Sequence, residues 1–236
     1  MNVLTVDVGG THVKILALDQ SEPRRFPSGP ALTPDLMVAG VRELAAGWKY
    51  EAVSIGYPGV VVRGHVLAEP FNLGRGWVGF DFESAFGRPV KIFNDAAMQA
   101  FGSYQGGLLL FLGLGTGLGS ALIADGVVVP LELAHFAYKK ATFEDYLGIR
   151  GLERLGKKKW RQHLEFVVAQ LIAALHPDDV VLGGGNVKKL KVLPLGCRAG
   201  DNANAFVGGF RFWEKTKFEA QNSKSEVRNP KTISHG

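Results

Sequence analysis

"GLLLFLGLGTGLGSALIADG", residues 107–126, decides the fold. Two apolar runs, 107–115 and 119–126, flank the short link Thr-Gly-Leu. Apolar runs of this length beside glycine-rich turns read as two buried strands of a hairpin. The start of the chain is built the same way. "NVLTVDVG" (2–9) and "HVKILALD" (12–19) are strands joined through Gly9, Gly10 and Thr11. At an offset of 106 residues, Gly9 falls on Gly115 and Asp19 on Asp125. A strand, a glycine turn and a second strand, written twice, point to two similar α/β domains facing each other.

The segments between and after these hairpins fit that plan. A helix is expected over 35–48, a buried strand over 51–59, and a hairpin with a loop over 60–77. A short helix at 81–87, a strand at 88–95 and a helix at 96–104 follow. Beyond the second hairpin, 142–176 reads as helix broken near Gly156, and 178–186 as a strand running into a glycine loop. An amphipathic helix is expected over 201–215. The expected division is a smaller α/β domain at 1–95, rejoined by helix 201–215, and a larger one at 96–200. Residues 216–236 are polar, and the expectation there is a tail with little fixed structure.

The bulk numbers set bounds. The 236 residues, 46% of them hydrophobic, suffice for one large or two small domains with a real core. No run of about 18 uncharged apolar residues suggests a membrane span. The N-terminus lacks the basic-then-apolar pattern of a leader, so a cytoplasmic location is expected. Cys197 is the single cysteine, which excludes an intrachain disulfide and a multi-cysteine zinc site. The 31 glycines cluster beside apolar runs, as where backbone approaches a ligand closely. The net charge of +5 suits a polyanionic partner or a solvated basic face.

Several motifs could carry chemistry. In 6–14, Gly9, Gly10 and Thr11 offer backbone N–H groups and a hydroxyl at a tight turn. Lys14 offers a charge, and Asp7 could hold a metal through water. In 113–120, "GLGTGLGS", Gly115, Thr116 and Gly117 expose a row of N–H donors of the kind that binds phosphate. It is neither a Walker loop nor a dinucleotide fingerprint, because no Gly-Lys-Ser/Thr follows and a strand, not a helix, comes next. A third loop, "GGGN" (183–186), with Gly184 and Gly185, suits a nucleotide base, a sugar or more phosphate. Asp95 follows an apolar strand, where an aspartate serves as helix cap or, in a cleft, accepts a hydroxyl proton. Asn94, Asp95, Glu132, His135 and Glu144 together can hydrogen-bond hydroxyls in pairs. The set suggests a phosphoryl donor and a polyol acceptor.

Taken in order, these segments resemble the ROK family of sugar kinases and sugar-binding repressors, and within it the polyphosphate/ATP glucokinase branch. The residues behind this are "DVGGTHVK" (7–14), "GYPGVV" (56–61), "GRPVKIFNDA" (87–96), "GLGTGLGSAL" (113–122), "ELAH" (132–135), "FEDYLG" (143–148), "GKKKW" (156–160), "VVLGGGN" (180–186) and "DNANAFVGGF" (201–210). The resemblance implies an actin-like ATPase fold of two ribonuclease-H-like domains around a cleft. It implies a glucokinase moving a phosphoryl group from polyphosphate, ATP or both to the sugar 6-hydroxyl. Asp95 would be the base, and Asn94, Glu132, His135, Glu144 and Gly59 would bind the sugar. The loops holding Gly9, Gly10, Thr11, Lys14, Gly115, Thr116, Gly117, Gly184 and Gly185 would hold the donor, with Asp7 placing Mg²⁺ through water. The usual zinc-binding cysteines of the family are absent, and Ala134 replaces a glycine before His135, so no zinc site is expected. There is no room for the repressors' DNA-binding helix-turn-helix, so no nucleic-acid partner and no membrane are expected; a homodimer rests on analogy alone. An ATP-dependent kinase of another hexose or amino sugar, and a non-catalytic sugar-binding regulator, are the alternatives.

Overall fold

The computed structural model describes residues 1–214; the polar tail expected at 216–236 lies outside the described residues. The chain begins with β1 (Val3–Val8), β2 (His12–Ala17) and β3 (Arg24–Pro27), then α1 (Pro34–Leu44) and β4 (Ala52–Tyr57). A small ribbon of β5 (Val61–Val62) and β6 (His65–Val66) precedes α2 (Phe82–Phe86), β7 (Val90–Asn94) and α3 (Asp95–Ser103). The second half starts with β8 (Leu108–Leu114), β9 (Leu118–Ala124) and β10 (Val127–Pro130). A ribbon of β11 (Ala137–Tyr138) and β12 (Ala141–Thr142) leads into α4 (Phe143–Leu147) and the long α5 (Ile149–Leu175). The described residues close with β13 (Asp179–Gly183), β14 (Cys197–Ala199) and a helix over 204–214, α6.

The repeat read in the sequence is a repeat in space. One sheet has the order β3-β2-β1-β4-β7 and the other β10-β9-β8-β13-β14. In each, the hairpin is antiparallel and the next strand joins its first strand in parallel: β4 on β1, β13 on β8. The offset of 106 holds along the first strands. The second turn is shorter, however: Val8 pairs with Val13 across four residues, and Leu114 with Leu118 across three. The pairing of the second strands is therefore offset by 105, and Asp19 and Asp125 are not equivalent.

Strand alternation assigns the faces. Leu4, Val6 and Val8 join the core under α1, together with Met37, Val38 and Val41. Thr5 and Asp7 therefore point to the opposite face. There Ser54 Oγ donates to the Gly209 carbonyl (2.7 Å), Trp213 Nε1 donates to Ser54 Oγ (2.8 Å), and Thr5 Oγ1 donates to the Phe206 carbonyl (3.4 Å). In the second sheet Leu110, Leu112 and Leu114 pack under α4 and α5, while Leu109 and Phe111 pack on α3 and α6. Thus α3 and α6 lie between the sheets. Glycines let them cross closely: a Cβ at Gly102 would overlap the Asn204 carbonyl, and one at Gly208 the Met98 carbonyl.

Five strands were not read in the sequence: the ribbon β11–β12 and three at sheet edges. β3, β10 and β14 are short edge strands that owe their shape to pairing with a neighbour rather than to apolar alternation. The region 142–176 breaks at Gly148 as well as at the expected Gly156, whose φ of 72° and ψ of 159° leave the helix. Among the described residues, no helix is long and apolar enough to cross a membrane.

Candidate active site

α3 begins where β7 ends. Asn94 caps it, its Oδ1 accepting from the N–H of Ala96 (2.9 Å) and Ala97 (3.2 Å), while its Nδ2 donates to the Gly59 carbonyl (3.0 Å). The cap is Asn94 rather than Asp95. That leaves Asp95 in the first helical turn, its Oδ1 accepting from the Ala96 N–H (2.7 Å). Two glycines open space for this helix start. A Cβ at Gly56 would overlap Met98 Cε and stand 3.6 Å from Asp95 Cα, and one at Gly119 would stand 2.8 Å from Ala96 Cβ. Gly56 is the β4 partner of Asp7, so the bare backbone beside Asp7 admits Met98 and with it the first turns of α3.

The carboxylates interact. Burial, then Asp7, then Glu132 push the Asp95 carboxyl up to about 7, against the opposing Ala96 hydrogen bond. Asp7 is itself buried, and desolvation raises its pKa although Lys14, its cross-strand partner, lies 3.5 Å away and opposes the shift. Glu132 is raised by burial and by Glu144, with His135 opposing. Asp7, Asp95, Glu132, His135 and Glu144 therefore form one linked set drawn from four separate segments.

The segment carrying Glu132, His135 and Glu144 is anchored by its neighbours. Thr142 and Asp145 form a reciprocal capping box at the start of α4. Glu144 accepts from the Leu118 N–H (3.3 Å) and from Arg150 Nη2 (3.1 Å), and its carboxylate occupies the place a Cβ on Gly117 would take. Tyr138 is the hub of an aromatic cluster. Its hydroxyl bonds His163 Nδ1 (3.0 Å), and its ring meets Phe143, Tyr146 and Phe166. This cluster joins the Glu132–Glu144 segment to α5.

Both glycine turns are held from behind. The Gly9 carbonyl accepts from Ser28 Oγ (2.6 Å), the Thr11 carbonyl from the Ser28 N–H (3.0 Å), and Gly10 lies against Asn72. In the second turn, the Thr116 carbonyl accepts from the Ile149 N–H (3.1 Å) and the Gly115 carbonyl from Asn186 Nδ2 (2.8 Å). Gly184, at φ 83°, presses on the Leu114 backbone, whereas a Cβ at Gly115 or Gly185 would meet nothing. The carbonyls are thus turned to protein, and Gly115 and Gly185 leave open ground in front. Asn72, Arg150 and Asn186 were not singled out in the sequence. Only Asn186, directly after the glycine run, carried a local signal.

Among the described residues, no three His, Cys, Asp or Glu side chains converge as a metal cage. Mg²⁺ is suited to one or two protein carboxylates plus substrate phosphates and waters. Asp7, a buried carboxylate at the end of a central strand, fits that demand.

Comparisons with known proteins agree with this geometry. The family profile described as "ROK family" matches residues 3–130. The polyphosphate glucokinase of Mycobacterium tuberculosis is 28% identical over 214 residues, covering 80% of this chain and 80% of the relative. The structure of an inorganic polyphosphate/ATP-glucomannokinase from Arthrobacter sp. strain KM superimposes with a TM-score of 0.75 at 25% identity, covering 88% of this chain and 96% of that one. A ROK family glucokinase from Streptomyces griseus, solved with glucose and AMPPNP, shares the fold at a TM-score of 0.70 and 17% identity over 89% of this chain and 98% of that one. With two sheets of one topology around shared central helices, the chain has the actin-like ATPase fold and belongs to the ROK family.

Proposed function

We propose that this protein is a sugar kinase, and specifically a glucokinase that moves a phosphoryl group from polyphosphate, ATP or both to the 6-hydroxyl of glucose. The observation that carries this reading is Asp95: a carboxyl raised to about 7, at a helix start shared by both sheets and within electrostatic reach of Asp7 and Glu132. A base poised near neutrality takes a hydroxyl proton most effectively. In this reading Asn94, Gly59, Glu132, His135 and Glu144 hold the sugar hydroxyls. Backbone N–H groups at Gly10 and Gly117, the Thr11 and Thr116 hydroxyls and Lys14 receive the donor phosphates, with Gly184 and Gly185 beside its far end; the Gly9 and Gly115 N–H groups, expected from the sequence to join them, are instead bonded inside their turns to the His12 (3.0 Å) and Gly117 (3.1 Å) carbonyls. Bound at Asp7 through water, Mg²⁺ would neutralise developing phosphate charge. Phosphoryl transfer needs chiefly positioning and charge stabilisation, which two glycine turns and one base supply. The relatives' printed activities support the same acceptor and donors.

The test is a coupled assay of glucose phosphorylation with Mg²⁺, run once with ATP and once with polyphosphate, beside a panel of other hexoses and amino sugars. Turnover of glucose above the other sugars is the expected result. Sugar binding without turnover on either donor overturns the reading in favour of a silent sugar-binding protein.

A further inference from the structure

The segment 149–161 carries six basic residues and one acidic, a net +5 that equals the net charge of the whole chain. α5 starts against the second glycine turn, its Ile149 N–H bonded to the Thr116 carbonyl at 3.1 Å. Arg150 stands in its first turn, and Arg154 one turn further, over the Tyr146 ring at 5.1 Å. At Gly156 the chain leaves helical geometry, and Lys157, Lys158 and Lys159 follow, all exposed. The turn of the β11–β12 ribbon brings in a further charge, with Lys139 Nζ 5.7 Å from the Tyr138 ring centre. Lys139 and Arg154 lie against neighbouring rings, Tyr138 and Tyr146, whose centres are 5.0 Å apart. Acidic relief is confined to the start and end of the strip: Glu144 and Asp145 beside Arg150, Glu153, and Glu165 paired with Arg161.

From Ile149 to Gly156 the helix rises about 10 Å, and the three lysines extend the strip beyond the break, past what the triphosphate of a nucleotide requires. We propose that Arg150, Arg154 and Lys157–Lys159, with Lys139 beside them, form a track for a linear polyphosphate whose reacting end lies at the Gly115–Gly117 turn. This inference rests on the reading of polyphosphate as a donor. The track binds phosphate units behind the reacting one, so it acts on long chains and leaves short donors untouched.

The experiment compares wild type with K157Q/K158Q/K159Q, using ATP, tripolyphosphate and long-chain polyphosphate at several salt concentrations. The triple variant is expected to raise KM for the long chain about tenfold and to flatten its salt dependence, because fewer counterions are displaced on binding. KM for ATP, tripolyphosphate and glucose stays at the wild-type value, which also shows that the variant is folded. K157R/K158R/K159R keeps the charge and restores the long-chain KM. An unchanged long-chain KM in the glutamine variant overturns the track and leaves the donor reading standing. A wild type that uses ATP but polyphosphate of no length overturns the donor reading, and the track with it.

Discussion

In the first sheet Asp7 pairs across the hairpin with Lys14; at the matching place in the second, Gly113 pairs with Gly119. The two hairpins share a topology and differ in what they bring to the cleft. One supplies a carboxylate and an ammonium. The other supplies bare backbone, so that α3 approaches through Gly119 and Glu144 through Gly117. The duplicated hairpins divide their work in this way: charge comes from the first and room from the second. Asp95 stands between the sheets, and its environment comes from both, with Asp7 on one side and Glu132 on the other.

Removing the charge between the copies has the largest expected effect. Asp95→Asn should lower kcat about 100- to 10,000-fold while leaving glucose affinity, measured by calorimetry, within a few-fold. It should also raise Tm at pH 8. The raised carboxyl means that the folded protein favours the neutral form. That contribution to stability is whole below the usual aspartate value of 3.8 and is lost as pH rises through about 7. An amide in its place removes the loss.

Filling the room is next. Gly56→Val drives a side chain into Met98 and the start of α3. Overpacking of this kind costs about 1–3 kcal/mol, and a fall in urea midpoint measures it. Gly115→Ala is the contrast, because its Cβ meets nothing. Its midpoint should hold, while KM for the phosphoryl donor rises if the backbone there meets phosphate. Equal loss of stability in both variants would break the division between crowded and open glycines.

Smaller effects sharpen the account. Lys14→Gln removes the ion pair that opposes the raised pKa of Asp7, so the Asp7–Asp95 pair should titrate at higher pH in an activity profile. Tyr138→Phe removes only the bond to His163. A lost hydrogen bond of this kind costs about 1 kcal/mol, read by thermal melting, and KM for glucose should rise more than KM for the donor.

Much of the fold was legible because it is written in local patterns. The apolar runs and glycine turns of β1–β2 and β8–β9 announced both hairpins and their repetition. Edge strands such as β14 were not, since Cys-Arg-Ala has no strand pattern of its own and forms only against β13. In the site, Asp95 and Glu144 stood out as acidic residues at element starts. The coupling of Asp95 to Asp7 and Glu132 did not, because the approach of α3 depends on Gly56 and Gly119, which lie far apart in the chain. Arg150 carried no local signal, and only the fold sets it beside Glu144.

The central claim is that burial and carboxylate neighbours from both copies of the fold tune Asp95 as the base. The pH dependence of kcat/KM for glucose tests it most directly, measured in wild type and in Asp95→Asn with a donor whose own ionisation is corrected for. The account predicts a wild-type rate that falls tenfold per pH unit below about 7, and no such limb in the residual activity of the variant. A wild-type rate that stays flat down to pH 5, or a limb that persists in Asp95→Asn, would contradict it.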